Sequence, residues 1–447
     1  MNTRATFGSK LGLIMASVGS AVGLGNIWRF PCEAGENGGG AFLVVYIFCV
    51  LGLGTVVMLA EFFIGRASQN DSVGAFKTLA PNTMWKIVGY NGVLAAFLIF
   101  GFYSVVSGWT LEYMYQSITG NLKADSVEEF NETFGLFTSG IFRPIMWIVI
   151  FTVITHLVVL SGVKKGIERA SKIMMPLLFV ILIILCIRSL LLPNAGAGLK
   201  FFFYPDFSKI TSKVVLSALG QAFFSMSVGM GCMITYASYF NKSINMPKTA
   251  VSVVTLDTLV AILAGIVIFP AVTSFGISPA QGPKLVFVTL PNIFQQMPFG
   301  SLWALIFFLL LALAALTSII SIHEVVTAYL HDQYKMSRRK SATIVSLCGF
   351  AVGVVCSLSF GILSDFKILG FTIFDFLDFV TANLMLPLGG MFICIFTGWY
   401  IDKKILKAEL TNNGTVKFGL FSVFVFLLKY IAPVIIAMVC VNQLGIF

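Results

Sequence analysis

The chain has 447 residues, of which 58% are hydrophobic and 11% charged, against roughly 25% charged in an ordinary soluble domain. Its 44 Phe outnumber its acidic residues, so a soluble fold could not cover itself with polar surface. Disordered, disulfide-framework and nucleic-acid-binding classes fall with it. What remains is an all-α polytopic membrane protein, and the formal net charge of +10 reads as basic loops that orient the spans.

Apolar stretches follow one another at 11–36, 41–66, 88–118, 143–161, 168–191, 214–240, 249–275, 300–330, 342–359, 372–400 and 418–444. They predict eleven transmembrane helices, each long enough for a hydrocarbon core of about 30 Å. The basic start followed by Leu11 to Leu24 is a poor leader peptide. Gly19, Gly23 and Gly25 interrupt it, and it resumes through Ile27, Trp28 and Phe30. With the N-terminus in the cytoplasm, 19 of the 29 Lys and Arg fall on the cytoplasmic side, Arg66 and Arg338 among them, and eight outside. That bias predicts a cytoplasmic N-terminus and an outer C-terminus. The polar segments near 119–141, 192–213 and 276–299 read as loops, the first acidic through Asp125, Glu128, Glu129 and Glu132. The eight Cys form no CxxC pair and the three His no metal-ligand spacing, so both read as packing residues. No soluble domain interrupts the chain, which is read as a single transmembrane domain over 1–447.

The most informative feature is a repeat. Val22-Gly23-Leu24-Gly25 in the first span and Val228-Gly229-Met230-Gly231 in the sixth occupy equivalent places, five spans apart. Five is odd, so the two halves enter the membrane from opposite sides. The prediction is an inverted five-plus-five repeat, 11–191 and 214–400, with 418–444 as an extra helix. Gly19 and Gly23 alone would make a helix-packing face. Two such motifs at matching positions, each beside Ser or Asn, predict helices unwound at the midplane, with carbonyls facing a cation and helix N-termini facing an anion. Arg29, Glu61, Glu112, Asp257, Glu324, Asp375 and Asp378 all fall in or at the ends of spans, where a central carboxylate costs at least about 2.5–3.5 kcal/mol. Glu61 is expected to hold the broken helices by hydrogen bonds, and Glu112 to lie near an aqueous end.

Gly23-Leu24-Gly25-Asn26-Ile27-Trp28-Arg29-Phe30-Pro31, followed by Glu36-Asn37-Gly38-Gly39-Gly40-Ala41-Phe42, resembles the first-helix signature of the neurotransmitter:sodium symporter family. Gly220-Gln221-Ala222-Phe223-Phe224-Ser225-Met226-Ser227 resembles its sixth helix. The likeness runs along the whole chain, and eleven spans are the length of the shorter bacterial members, of the cytoplasmic membrane.

The resemblance implies a Na⁺-coupled amino-acid symporter rather than an enzyme, with two Na⁺ sites. The first would use Ala21, Asn26, Ser225, Asp257 and the substrate carboxylate. The second would use the carbonyls of Gly19, Val22 and Ala314 with the hydroxyls of Thr317 and Ser318, oxygen donors suited to a hard cation. Ser225 stands where many members carry Thr. Asp257 stands where members carry Asn, and Ala261 where chloride-requiring members carry Ser, which implies chloride-independent transport. Ala21, Gly23, Leu24, Gly25 and Tyr103 would meet the substrate's polar end. Ile99, Phe224, Ser225, Ser227, Met230, Ser318 and Ile322 would line its side chain, although Ile99, Met230 and Ile322 read equally as plain core. Amine carriers have Asp at Gly23, so Gly implies a substrate carboxylate. Met230 replaces a Phe and implies a bulky hydrophobic or aromatic substrate. Arg29 with Asp378 would gate the outer side above Tyr103 and Phe224. Arg4 with Asp332 would gate the inner side, helped by Tyr239, with Phe7 at a position usually held by Trp. Gly166 and Pro176 match a motif that lets the fifth helix open. The expected partners are a small amino acid and the lipid bilayer, without nucleic acid. A proton-coupled carrier titrating Asp257 or Glu324, and an ion channel, are the alternatives.

Overall fold

The structure, a computed structural model, describes residues 5–124, 126–280 and 285–443. Arg4, Asp125 and Lys284 lie outside the described residues. Among those described, helices form the whole framework and no strand forms beyond an isolated bridge between Ile368 and Phe371. In chain order they are α1 (Lys10–Ala21), α2 (Gly25–Glu36), α3 (Gly40–Ser68), α4 (Ser72–Leu79), α5 (Lys86–Thr119), α6 (Val127–Ser139), α7 (Phe142–Leu160) and α8 (Val163–Leu190). Then come α9 (Ala195–Phe203), α10 (Ser212–Ser225), α11 (Cys232–Ala237), α12 (Met246–Ser274), α13 (Leu285–Gln295), α14 (Gly300–Tyr334), α15 (Arg338–Leu358), α16 (Ile373–Tyr400), α17 (Lys403–Leu410) and α18 (Phe421–Asn442).

Nine of these helices are long and apolar enough to cross a membrane among the described residues, and α1 with α2, bent by 50°, makes a tenth. The count of eleven is not reproduced by this measure. The predicted sixth span is cut into α10 and α11, and neither piece is long enough alone. Both predicted breaks are present. Val22 leaves the helix in an extended conformation. Between α10 and α11 the chain takes positive φ at Ser227 (53°), Gly229 (86°) and Gly231 (78°). Glycine is required at 229 twice over: the backbone is left-handed, and a Cβ there would run into the Leu386 carbonyl.

The segments read as loops contain helices. In the acidic stretch, Phe130, Phe134 and Phe137 recur at helical spacing and give α6 an apolar face. Phe134 stacks on Phe287 with centroids 5.8 Å apart and meets Trp109 at 5.2 Å. Phe202 of α9 is buried against Phe269 at 5.1 Å and Phe30 at 6.1 Å. Phe287 itself belongs to α13, which dips into the core. Two buried charges find partners. Glu112 is fully buried and accepts from Trp147 Nε1 at 2.6 Å and from Nε of the half-exposed Arg143 at 2.8 Å. Arg66, read as a loop charge, is buried and donates to Glu409 Oε1 at 2.7 Å and the Ile244 carbonyl at 2.6 Å. Both ions are retained because each finds a charged and a further polar partner.

Candidate functional site

The two broken helices meet at their breaks in the buried interior. Breaking a helix frees backbone groups that must find partners, and side chains supply them. Gly23 N–H donates to Asn26 Oδ1 at 3.1 Å, and Leu24 N–H to the Tyr103 hydroxyl at 3.1 Å. Gln221 Nε2 donates to the Gly25 carbonyl at 2.7 Å, tying α10 to α2. Gly229 N–H donates to Glu61 Oε1 at 2.6 Å, so Glu61 holds the second break as expected. Ser227 Oγ donates to the Ser20 carbonyl at 2.8 Å and joins one break to the other.

A first polar cluster centres on Asp257 of α12, fully buried. Asn26 Nδ2 donates to its Oδ1 at 2.7 Å and Ser225 Oγ to its Oδ2 at 3.3 Å. Tyr46 of α3 shares a hydrogen bond with Ser225 Oγ at 3.2 Å. Tyr46 was not anticipated; its signal is the lone hydroxyl in the apolar run from Ala41 to Val50. Ala261 lies buried on the same helix one turn further on.

A second cluster forms where α1 ends against α14. Thr317 Oγ1 is 3.3 Å from the Val22 carbonyl and 3.0 Å from that of Ala314. Ser318 Oγ is 3.2 Å from Val22 O and 3.5 Å from Ser20 O. Gly19 packs on Thr317, with Met175 of α8 behind it. Two hydroxyl protons face several carbonyls here. The donor set is rich in oxygen lone pairs and short of protons, the condition that suits a hard cation.

Between the clusters lies a cavity of about 20 Å³ lined by Ala21, Gly23, Gly25, Ile99, Tyr103, Phe224, Ser225, Ser227, Met230, Ser318 and Ile322. All but one of the residues expected at the substrate are here. The exception, Leu24, turns to a larger cavity of about 250 Å³ with Trp28, Arg29, Glu33, Phe102, Phe374 and Asp378. Tyr103 and Phe224 line both and so stand between them.

Arg29 and Asp378 share the larger cavity without an ion pair within 4 Å among the described residues. The Arg29 guanidinium instead lies over the Phe224 ring, 4.5 Å from its centroid, and its Nε is 3.8 Å from Glu33. At the opposite end Tyr239 donates to Glu324 Oε1 at 2.7 Å, and Arg338 donates to both Glu324 oxygens at 3.0 and 2.6 Å and to the Val159 carbonyl. Phe7 packs edge-on to Tyr236 and Tyr239. Asp332 lies at the same end of α14 as this network, but its expected partner Arg4 is outside the described residues. Arg338 was read as a loop charge, and nothing in its neighbourhood marks it for a buried carboxylate that folding brings to it.

The profile of the sodium:neurotransmitter symporter family matches residues 4–134 and 126–447. The chain is 41% identical over 441 residues to the uncharacterized sodium-dependent transporter YhdH of Bacillus subtilis, covering 98% of this chain and 97% of that one. An uncharacterized sodium-dependent transporter of Haemophilus influenzae is 36% identical, covering 99% and 98%. Among solved structures, MhsT in complex with L-phenylalanine superposes with a TM-score of 0.91 at 45% identity, covering 99% of this chain and 100% of that one. With its two broken helices and these relatives, the chain belongs to the sodium:neurotransmitter symporter family, as a sodium-dependent membrane transporter and not an enzyme.

Proposed function

We propose that this protein carries an amino acid with a large apolar or aromatic side chain into the cell by symport with Na⁺, without chloride. The observation that carries the reading is the Asp257 carboxylate, placed between Asn26 and Ser225 where the two broken helices meet. It provides a fixed negative charge where Na⁺ and the substrate carboxylate would share a dry site, and an uncompensated cation there is costly. Ala21, Asn26, Ser225 and Asp257 form the first Na⁺ site; Gly19, Val22, Ala314, Thr317 and Ser318 form the second. Gly23 leaves room for the substrate carboxylate, with Tyr103 and the Leu24–Gly25 backbone beside it. Ile99, Phe224, Met230 and Ile322 surround the side chain. The likeness to MhsT, crystallised with L-phenylalanine, supports this size class. A space of about 20 Å³ holds little more than a water, so binding must part Phe224, Met230 and Ile322.

The halves 11–191 and 214–400 act as the two inverted repeats of an alternating-access carrier, with helix 418–444 outside them. The Lys and Arg bias supports a cytoplasmic N-terminus in a bacterial cytoplasmic membrane, with an outer C-terminus. In that orientation the Arg29 cavity faces outward and the Glu324–Arg338–Tyr239 network closes the cytoplasmic side, with Asp332 beside it. Arg29 and Asp378 would pair as the outer path closes. Reconstituted in liposomes, the protein should accumulate L-phenylalanine against its gradient with external Na⁺. Equal accumulation with K⁺ in place of Na⁺ at fixed pH would instead establish proton coupling, and flux that never saturates would establish a channel.

A further inference from the structure

A cavity of about 350 Å³ opens between α7 and α15, far from the transport site in sequence and lined by other residues. Its wall includes Val149, Val153 and Leu347, which are exposed on the outside of the helical bundle and therefore face lipid, and Phe350. It also carries polar groups that hydrocarbon alone would not satisfy. Thr152 is 6% exposed, and its enclosed hydroxyl has no hydrogen-bond partner among the described residues. Thr155, one turn on, bonds back to the Phe151 carbonyl at 2.9 Å in the usual way. His156 Nδ1 is held by Ser346 Oγ at 3.0 Å, and Ser346 is tied in turn to His323 Nε2 at 2.8 Å. That leaves His156 Nε2 as the ring nitrogen available on the cavity.

The rim is basic. Along α15 the stripe of Phe350, Ser346 and Thr343 continues one turn to Arg339, whose carbonyl accepts the Thr343 hydroxyl at 2.9 Å. Arg339 and Lys340 are exposed, as are Lys164 and Lys165 just beyond the end of α7. Arg338 is not available, being engaged by Glu324 and the Val159 carbonyl. We propose that this crevice binds one anionic phospholipid. Its phosphate rests on Arg339 and Lys340, a glycerol ester carbonyl accepts from His156 Nε2–H, and one acyl chain lies along Val153, Leu347 and Phe350. Basic pockets between spans are the usual receptors for anionic headgroups, and here an apolar groove with an imidazole on its wall continues inward from one.

The test is native mass spectrometry of the full chain in neutral detergent, offered phosphatidylglycerol or phosphatidylcholine. One phosphatidylglycerol should be retained with about a tenfold preference over phosphatidylcholine, equivalent to about 1.4 kcal/mol. Excess glycerol phosphate should not displace it. Val153→Trp or Leu347→Trp, which fill the groove from opposite walls, and the pair Arg339→Gln with Lys340→Gln, should each erase the preference while the delipidated proteins keep the native melting temperature. Equal retention of the two lipids, undiminished phosphatidylglycerol in both groove variants, or displacement by glycerol phosphate would overturn the proposal.

Discussion

Asn26 donates its side-chain amide to the Asp257 carboxylate at 2.7 Å, and also to the Asp257 carbonyl at 3.1 Å. The loosened start of α2 is thereby fastened to the middle of a continuous helix. The same Asn26 accepts from Gly23 N–H, so the charge of Asp257 reaches the backbone that would meet the substrate. On the proposed reading, a carboxylate fixed here would supply the charge that a bound chloride would otherwise bring. Uptake in gluconate should therefore equal uptake in chloride. Asp257→Asn with Ala261→Ser, which removes the charge and adds a hydroxyl one turn away, should make uptake depend on chloride. Strong chloride dependence of the native protein would sink the idea.

The second cluster gives a separate prediction. Thr317 and Ser318 both reach the Val22 carbonyl, at 3.3 and 3.2 Å, so losing both hydroxyls removes two oxygen donors at once. Thr317→Ala with Ser318→Ala should weaken Na⁺ at least tenfold, about 1.4 kcal/mol, read as the Na⁺ concentration for half-maximal substrate binding. An unchanged Na⁺ titration would remove the second site.

The breaks were legible because they rest on strong local signals: glycine pairs with Ser or Asn inside apolar runs, at matching places in two halves. The lining of the small cavity came from the family resemblance instead, since Ile99, Met230 and Ile322 taken alone read equally as plain core. The helices α6, α9 and α13 were hidden by composition or length. In α6 the polar residues between Phe130, Phe134 and Phe137 dominate a count over the segment, while α9 and α13 are apolar but too short to register as spans. Tyr46, Gln221 and Arg338 were missed for another reason. Each matters through a partner more than 10 residues away in sequence, Ser225, Gly25 and Glu324, and no local pattern encodes such pairings.

Arg29 and Asp378 share a cavity without bonding, while Arg29 leans on Phe224 and Glu33. A pair that forms only as the outer path closes should matter for turnover more than for binding. Asp378→Asn should reduce the uptake rate severalfold more than it reduces equilibrium substrate affinity. Normal uptake by this variant would remove the gating role.

Glu61 is buried on α3 and accepts the Gly229 N–H at the second break. Removing the acceptor leaves that buried donor unsatisfied, at about 1–3 kcal/mol. Glu61→Ala should lower the melting temperature and abolish uptake. Glu61→Gln keeps an acceptor oxygen and should recover most of both. If alanine and glutamine behave alike, the hydrogen bond is not what Glu61 contributes.

Gly23 offers the most direct test of where the substrate sits. A Cβ at this position would press on Ser318 Oγ and stand 3.0 Å from the Tyr103 hydroxyl. Both atoms line the small cavity, and Tyr103 also holds Leu24 N–H. An added methyl would therefore displace the groups proposed to position the substrate carboxylate and take the space proposed for it. Gly23→Ala should weaken substrate binding at least tenfold, about 1.4 kcal/mol, and Gly23→Asp should add like-charge repulsion and abolish it. Gly52→Ala is the control: a Cβ there meets nothing within 4 Å, so binding should be unchanged. Equilibrium binding of radiolabelled phenylalanine to the three purified variants decides the matter. Native affinity in Gly23→Ala would place the substrate carboxylate elsewhere.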